Sequence, residues 1–140
     1  MRKAVIDTNI IVYDLFEDSA FHDEAADMLD QLAKWIIPSI VVHELVWFLK
    51  GLNLKAEDAY EAVRQYVLHE KAVLRPVSTS DIERSLTAIV QEKLSLARYN
   101  DKLILSVAAE EGAPIASFDK KLRKQASAAG LPVLPAAYPA

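Results

Sequence analysis

The chain has 140 residues, with 20 Asp and Glu against 16 Lys and Arg, and no cysteine. That length suits one domain with its own core, and the missing thiols exclude disulfides, thiolate zinc sites and cysteine nucleophiles. A formal charge of −4 is not the basic footprint of most nucleic-acid binders, and no apolar run approaches the roughly 18 residues of a membrane span.

Ala4-Val5-Ile6 reads as a short buried strand, after which Asp7-Thr8-Asn9 turns polar before a helical run at Ile10, Ile11 and Val12. Asp7 interrupts this apolar stretch before it can form a signal peptide, so a cytoplasmic protein with no membrane partner is expected. Glu17-Asp18-Ser19 marks a turn. The helix after it places Phe21, Ala25, Met28, Leu29 and Leu32 on one face and Asp23, Asp27 and Asp30 on the other, solvated, face.

Trp35-Ile36-Ile37-Pro38 is a second strand closed by proline, and Ser39 is expected to cap a helix from Ile40 to about Leu52. A partner helix from Ala56 to about His69 completes an αα-hairpin. Ala72-Val73-Leu74 reads as a third strand, and Ser80-Asp81-Ile82-Glu83 as a capping box for a helix reaching about Leu96. A helix starting near Asp101 ends at Gly112 and Pro114. Pro114 to Ser117 is a fourth strand, a helix from about Phe118 closes at Gly130, and Val133-Leu134 is a last short strand. Strands alternating with helices predict an α/β protein whose mostly parallel sheet is covered on both faces. One domain is expected over residues 1–134, with 135–140 as a flexible tail.

Four acids stand out from the solvated ones. Asp7 ends a strand, at the edge where open α/β sheets bind ligands, although Asp and Thr are also common helix caps. Glu44 has Ile40, Val41, Trp47 and Phe48 at i−4, i−3, i+3 and i+4, so it faces a core or a crevice, where an unpaired charge is costly. Asp101 and Asp119 open helices, a placement that the helix dipole also favours. Asp119 follows the strand-ending Ser117, as Asp7 follows the first strand.

Two carboxylates 4 Å apart repel by about 4 kcal/mol at an effective dielectric of 20, so a convergent set calls for a cation. Oxygen donors without cysteine suit Mg²⁺ or Mn²⁺. His22, His43 and His69 fall in different helices without zinc spacing. Neither a glycine-rich phosphate loop nor a nucleophile elbow is present.

With Asp7-Thr8-Asn9 after the first strand, Glu44 in the third helix, Asp101 opening a later one and Ser117-Phe118-Asp119 after the fourth strand, the chain resembles a PIN domain, and most of all the VapC-type toxins. The resemblance spans nearly the whole chain. It implies an α/β/α sandwich and a ribonuclease requiring Mg²⁺ or Mn²⁺, with Asp7, Glu44, Asp101 and Asp119 as the acidic quartet. Asp7 and Asp101 would be the principal metal ligands. Thr8, Asn9 and Ser117 match polar companions expected to orient the carboxylates.

The same resemblance implies an RNA substrate, a homodimer and a protein antitoxin covering the site. Trp47, Phe48 and Leu52 are candidates for such an interface or for the core. Without the quartet the charges balance, 16 acids against 16 bases. Arg98 and Lys102 flank Asp101, and the run Lys120, Lys121, Arg123, Lys124 follows Asp119; these cations are candidates for gripping phosphates, with Lys120 and Lys124 sharing a helix face. Two other readings compete. A haloacid dehalogenase-like phosphohydrolase needs a second Asp two residues after the first, where this chain has Asn9. A non-catalytic PIN-like module that binds RNA or protein commonly lacks part of the acidic set, which this chain keeps.

Overall fold

The computed structural model describes residues 2–139. Five parallel strands form the sheet in the order β3-β2-β1-β4-β5: β1 (Lys3–Ile6), β2 (Lys34–Pro38), β3 (Ala72–Arg75), β4 (Ile115–Ala116) and β5 (Val133–Leu134). Ala4, Val5 and Ile6 are apolar without alternation because β1 is central and covered on both faces. Val5 pairs with Ile36 on one side and Ile115 on the other. The edge strand β3 leaves Val73 and Leu74 exposed.

Helices fill every crossover: α1 (Thr8–Leu15) and α2 (His22–Gln31), then α3 (Ser39–Gly51) and α4 (Ala56–Val67), α5 (Thr79–Gln91) and α6 (Tyr99–Glu111), and α7 (Lys120–Ala128). The first two strand-to-strand steps run outward to β3 and the later ones run the opposite way from β1. Right-handed crossovers therefore put α1 to α4 on one face and α5 to α7 on the other. This is the expected α/β sandwich, with a sheet that is parallel throughout. In α6 every residue from Lys102 to Ala108 is buried, so it behaves as a core helix, and Gly112 ends it in the left-handed conformation (φ 59°).

Several local expectations are corrected. Ser39 lies inside α3 after the uncapped Pro38, and its hydroxyl instead accepts the Val77 N–H at 3.0 Å. The capping box sits two residues earlier than expected, at Ser78 and Asp81, so the helix starts at Thr79. That helix ends at Gln91; a 3₁₀ turn over Leu96–Arg98 then feeds α6. The core alternative for Trp47 and Phe48 does not hold, because they are 70% and 41% exposed on the outer side of α3. After β5 the chain runs back onto the body: the Tyr138 hydroxyl donates to the Phe118 carbonyl at 2.9 Å, and the Tyr138 ring meets Phe21 edge-on.

Asp81 has more than a capping role. Fully buried, it accepts hydrogen bonds from the Ser78 N–H and hydroxyl, from the Ser106 hydroxyl at 2.7 Å, and from the Arg75 guanidinium at 2.8 Å. Burial alone would raise its carboxyl, but these donors outweigh it and hold the group far below the usual carboxylate range. Arg75 ends β3, Asp81 lies in the first turn of α5 and Ser106 lies in α6, so one carboxylate joins three elements. Asp81→Asn should lower thermal stability at pH 7 by about 3–5 kcal/mol, the usual cost of breaking a buried pair. A depressed acid stabilises above its unfolded value of about 4 and loses that contribution as pH falls further. Chemical denaturation of both proteins should therefore show the gap constant at neutral pH and closing only below about pH 4.

Candidate active site

The acidic crevice opens at the carboxyl ends of β1 and β4, where strand order reverses and the loops that follow diverge to opposite faces. Asp7 is the first residue past β1. Its backbone N–H continues the ladder to the Ala116 carbonyl at 3.0 Å, fixing it against β4. The side chain is buried. One oxygen accepts the Thr8 N–H at 2.8 Å, capping α1, and the other accepts the Ser117 hydroxyl at 2.6 Å. The cap and site readings of Asp7 are thus compatible in one side chain.

Glu44 projects from the middle of α3 into the same crevice. Its two oxygens accept the Thr8 hydroxyl at 2.6 Å and the Asn100 amide at 3.0 Å. Thr8 therefore ties Asp7 to Glu44, its N–H to one and its hydroxyl to the other. Asn9 does something different, accepting the Phe118 N–H at 3.2 Å and so tying α1 to the turn after β4. Asn100 was not singled out in the sequence, where it reads as a linker residue; only its place immediately before Asp101 marks it.

Asp101 lies in the first turn of α6, with Arg98 at 3.9 Å. Asp119 caps α7 through one oxygen, which accepts the Lys121 and Leu122 N–H groups, while its own N–H donates to Ser117 Oγ at 3.0 Å. Ser117 Oγ thereby links Asp7 and Asp119.

The candidate phosphate cations separate. Lys102 is turned away, its buried stem ending in an ammonium held by both oxygens of Glu92 at 2.9 and 3.0 Å. Arg123, one of the basic run, is buried as well and spends its guanidinium on the Ser117 and Pro135 carbonyls. Lys120 and Lys124 are exposed on α7, Lys120 lying 4.9 Å over the Tyr138 ring. Among the histidines, His22 contacts the Tyr13 carbonyl, His69 stacks on Trp35 and His43 is exposed.

Burial, reinforced by the charges of Glu44 and Asp101, raises the Asp7 carboxyl to about 7, even though two hydrogen bonds pull it down. Burial also raises Asp101, with Asp119 and Glu44 adding to the rise and Arg98 opposing it. Asp101 is therefore within electrostatic reach of the other three acids, and Asp7 of Glu44 and Asp101. As placed, no three His, Asp or Glu side chains among the described residues are grouped tightly enough to enclose an ion. The donor set nonetheless fits a hard divalent cation: it is all oxygen, its acids repel, and Asp7 and Glu44 are oriented by donors that leave lone pairs free.

Fold and site together define an all-parallel α/β protein with an acidic crevice at its switch point. Residues 4–128 match the PIN domain family model, and the chain belongs to that family. Three solved structures share the fold. VapC20 of Mycobacterium tuberculosis, a sarcin–ricin loop cleaving toxin, aligns with TM-score 0.75 and 18% identity over 97% of this chain and 99% of that one. VapBC2 of Rickettsia felis, bound to a DNA fragment from its promoter, aligns with TM-score 0.64 and 21% identity over 88% and 92%. A toxin–antitoxin complex from Klebsiella pneumoniae aligns with TM-score 0.64 and 24% identity over 97% and 99%. No curated protein sequence matches the chain.

A buried acid with a raised folded value stabilises least when ionised, and the penalty grows as pH rises from the unfolded value to the folded one. In chelator at pH 8, Asp7→Asn should therefore raise the melting temperature, by a stability gain on the order of a few kcal/mol. Melting curves at stepwise lower pH should show the gain shrinking from about 7 downward and vanishing near 4.

Proposed function

We propose that the chain is a Mg²⁺- or Mn²⁺-dependent endoribonuclease and the toxin of a VapBC-type toxin–antitoxin pair. The observation that carries this reading is the hydrogen-bonded chain that joins Asp7 through Thr8 to Glu44 and through Ser117 to Asp119, with Asp7 raised chiefly by burial and further by the charges of Glu44 and Asp101. Membership of the PIN family and the likeness to VapC structures support it. The working unit is a single domain over residues 1–134 together with the segment Pro135–Tyr138 that packs back on it, acting in the cytoplasm.

In this reading Asp7 and Asp101 are the principal ligands, with Glu44 and Asp119 completing the set directly or through water. A divalent ion held there would lower the pKa of a water and neutralise charge on the phosphodiester. Thr8, Ser117 and Asn100 hold the carboxylates of Asp7 and Glu44 in fixed directions, so binding costs little reorganisation. Arg98, Lys120 and Lys124 supply positive charge near the acids to draw in the RNA backbone.

The partner proposed is an antitoxin, together with a second copy of the chain. Val46, Trp47, Phe48, Leu52 and Tyr60 are exposed on the α3–α4 hairpin, beside a cleft of about 660 Å³. An apolar surface of this kind marks an interaction face.

The full chain with millimolar Mn²⁺ or Mg²⁺ should cleave RNA, and Asp7→Asn or Glu44→Gln should lower the rate by more than about 100-fold with the fold intact. Undiminished cleavage by Asp7→Asn would sink the reading. The ions should also raise the melting temperature by linkage, by about 2.7 kcal/mol at a hundredfold excess over Kd. Asp101→Asn should reduce that rise, whereas a rise unaffected by Asp101→Asn would argue against a shared site.

A further inference from the structure

The turn Ser117–Asp119 carries two groups of the site, and each of its backbone polar groups has a partner. The Ser117 N–H continues the sheet to the Leu134 carbonyl, and the Asp119 carbonyl accepts the Arg123 N–H. The other four are satisfied by side chains: Arg123 on the Ser117 carbonyl at 3.0 Å, Asn9 on the Phe118 N–H, Tyr138 on the Phe118 carbonyl at 2.9 Å, and Ser117 Oγ on the Asp119 N–H. Two of those four donors or acceptors, Arg123 and Tyr138, belong to neither the acids nor their companions.

Arg123 is the less expected of the two. Its guanidinium is buried, yet among the described residues no carboxylate lies within ion-pair distance; one N–H goes to Ser117 and another, at 2.8 Å, to the Pro135 carbonyl. Burying that charge on two carbonyls is costly unless its planar fork fixes something a neutral side chain would not. The ring of Tyr138 lies 5.4 Å from the same guanidinium and 4.9 Å from Lys120 Nζ, and it packs edge-on against Phe21. One fork thus clamps the turn to the segment Pro135–Tyr138, and the hydroxyl at the far end of that segment clamps the turn again one residue later.

We propose that Arg123 and Tyr138 are positioning residues which, by strapping the segment Pro135–Tyr138 across the turn, set where Ser117 Oγ holds Asp7 and where Asp119 stands. The proposal rests on the ribonuclease reading for its effect on rate, but not for the strap itself. Neither residue touches substrate. A displacement of about 1 Å in such a constellation costs about 100-fold in rate, so a loosened turn acts on turnover and leaves RNA affinity nearly untouched.

The test uses the full chain with Tyr138→Phe, Arg123→Met and Arg123→Lys, assayed well below each melting temperature. Tyr138→Phe keeps the ring and removes one hydroxyl, so it remains informative if an Arg123 variant folds poorly. The expected result is a fall in kcat of about 10- to 100-fold for Tyr138→Phe and Arg123→Met, with KM within about twofold and more Mn²⁺ needed for half the thermal shift. Arg123→Lys should recover part of the loss. A change confined to KM would overturn the proposal, because it would make these residues RNA contacts, and so would unchanged kcat in Tyr138→Phe. Amide exchange separates the two levels. If wild type neither cleaves RNA nor responds to Mn²⁺, the ribonuclease reading fails, and the strap then stands or falls on whether Phe118 and Asp119 amides lose protection in the variants while β1 amides keep theirs.

Discussion

The Asp7 carboxylate is buried at the end of the central strand, and the Ser117 hydroxyl reaches it from 110 residues away in the chain. A carboxylate in that position is unfavourable for the fold, since burial and neighbouring acids raise it to about 7. Two donors, the Thr8 N–H and the Ser117 hydroxyl, make it tolerable without neutralising it. The remaining elements serve that compromise. Parallel pairing of β1 with β4 brings Ser117 alongside Asp7, α3 delivers Glu44 to Thr8, and α6 delivers Asn100 to Glu44.

The protein holds two buried aspartates with opposite electrostatics. Asp81 is depressed by a guanidinium and hydroxyls and stitches β3, α5 and α6 together. Asp7 is raised, with no basic side chain among its hydrogen-bond partners in the described residues. The difference lies in the company each keeps. An acid that a fold uses only for stability is given a cation from the chain, whereas one left beside other acids stores a repulsion that an external cation can relieve.

Much of the architecture was legible from patterns of hydrophobicity. Continuous apolar runs at Ala4–Ile6 and Trp35–Ile37 marked strands buried on both faces, and alternation of strands with helices gave a parallel sheet. Capping was harder, because Ser78, Thr79 and Ser80 are all plausible caps and only the partners of Asp81 choose among them. Glu44 was conspicuous for a partly mistaken reason: two of its four apolar neighbours, Trp47 and Phe48, lie on the surface, so the stripe records the rim of the crevice and an exposed patch as well as core. Asn100 and Arg123 were hidden by their residue types. An amide beside a helix start and an arginine within a basic run look solvated, and only tertiary partners show otherwise.

Charge count was the least informative feature, since net charge sums groups that the fold assigns to separate tasks. Lys102 and Arg123 are cations in the composition, yet both are consumed inside the protein, by Glu92 and by two backbone carbonyls. The exposed positive charge near the acids is consequently narrower than the run Lys120 to Lys124 suggests. In the ribonuclease reading, phosphate would be held by Arg98, by the exposed lysines of α7 and by the charge of a divalent ion. On that reading the acids without an ion would repel a polyanion, so an ion would govern substrate approach as well as chemistry.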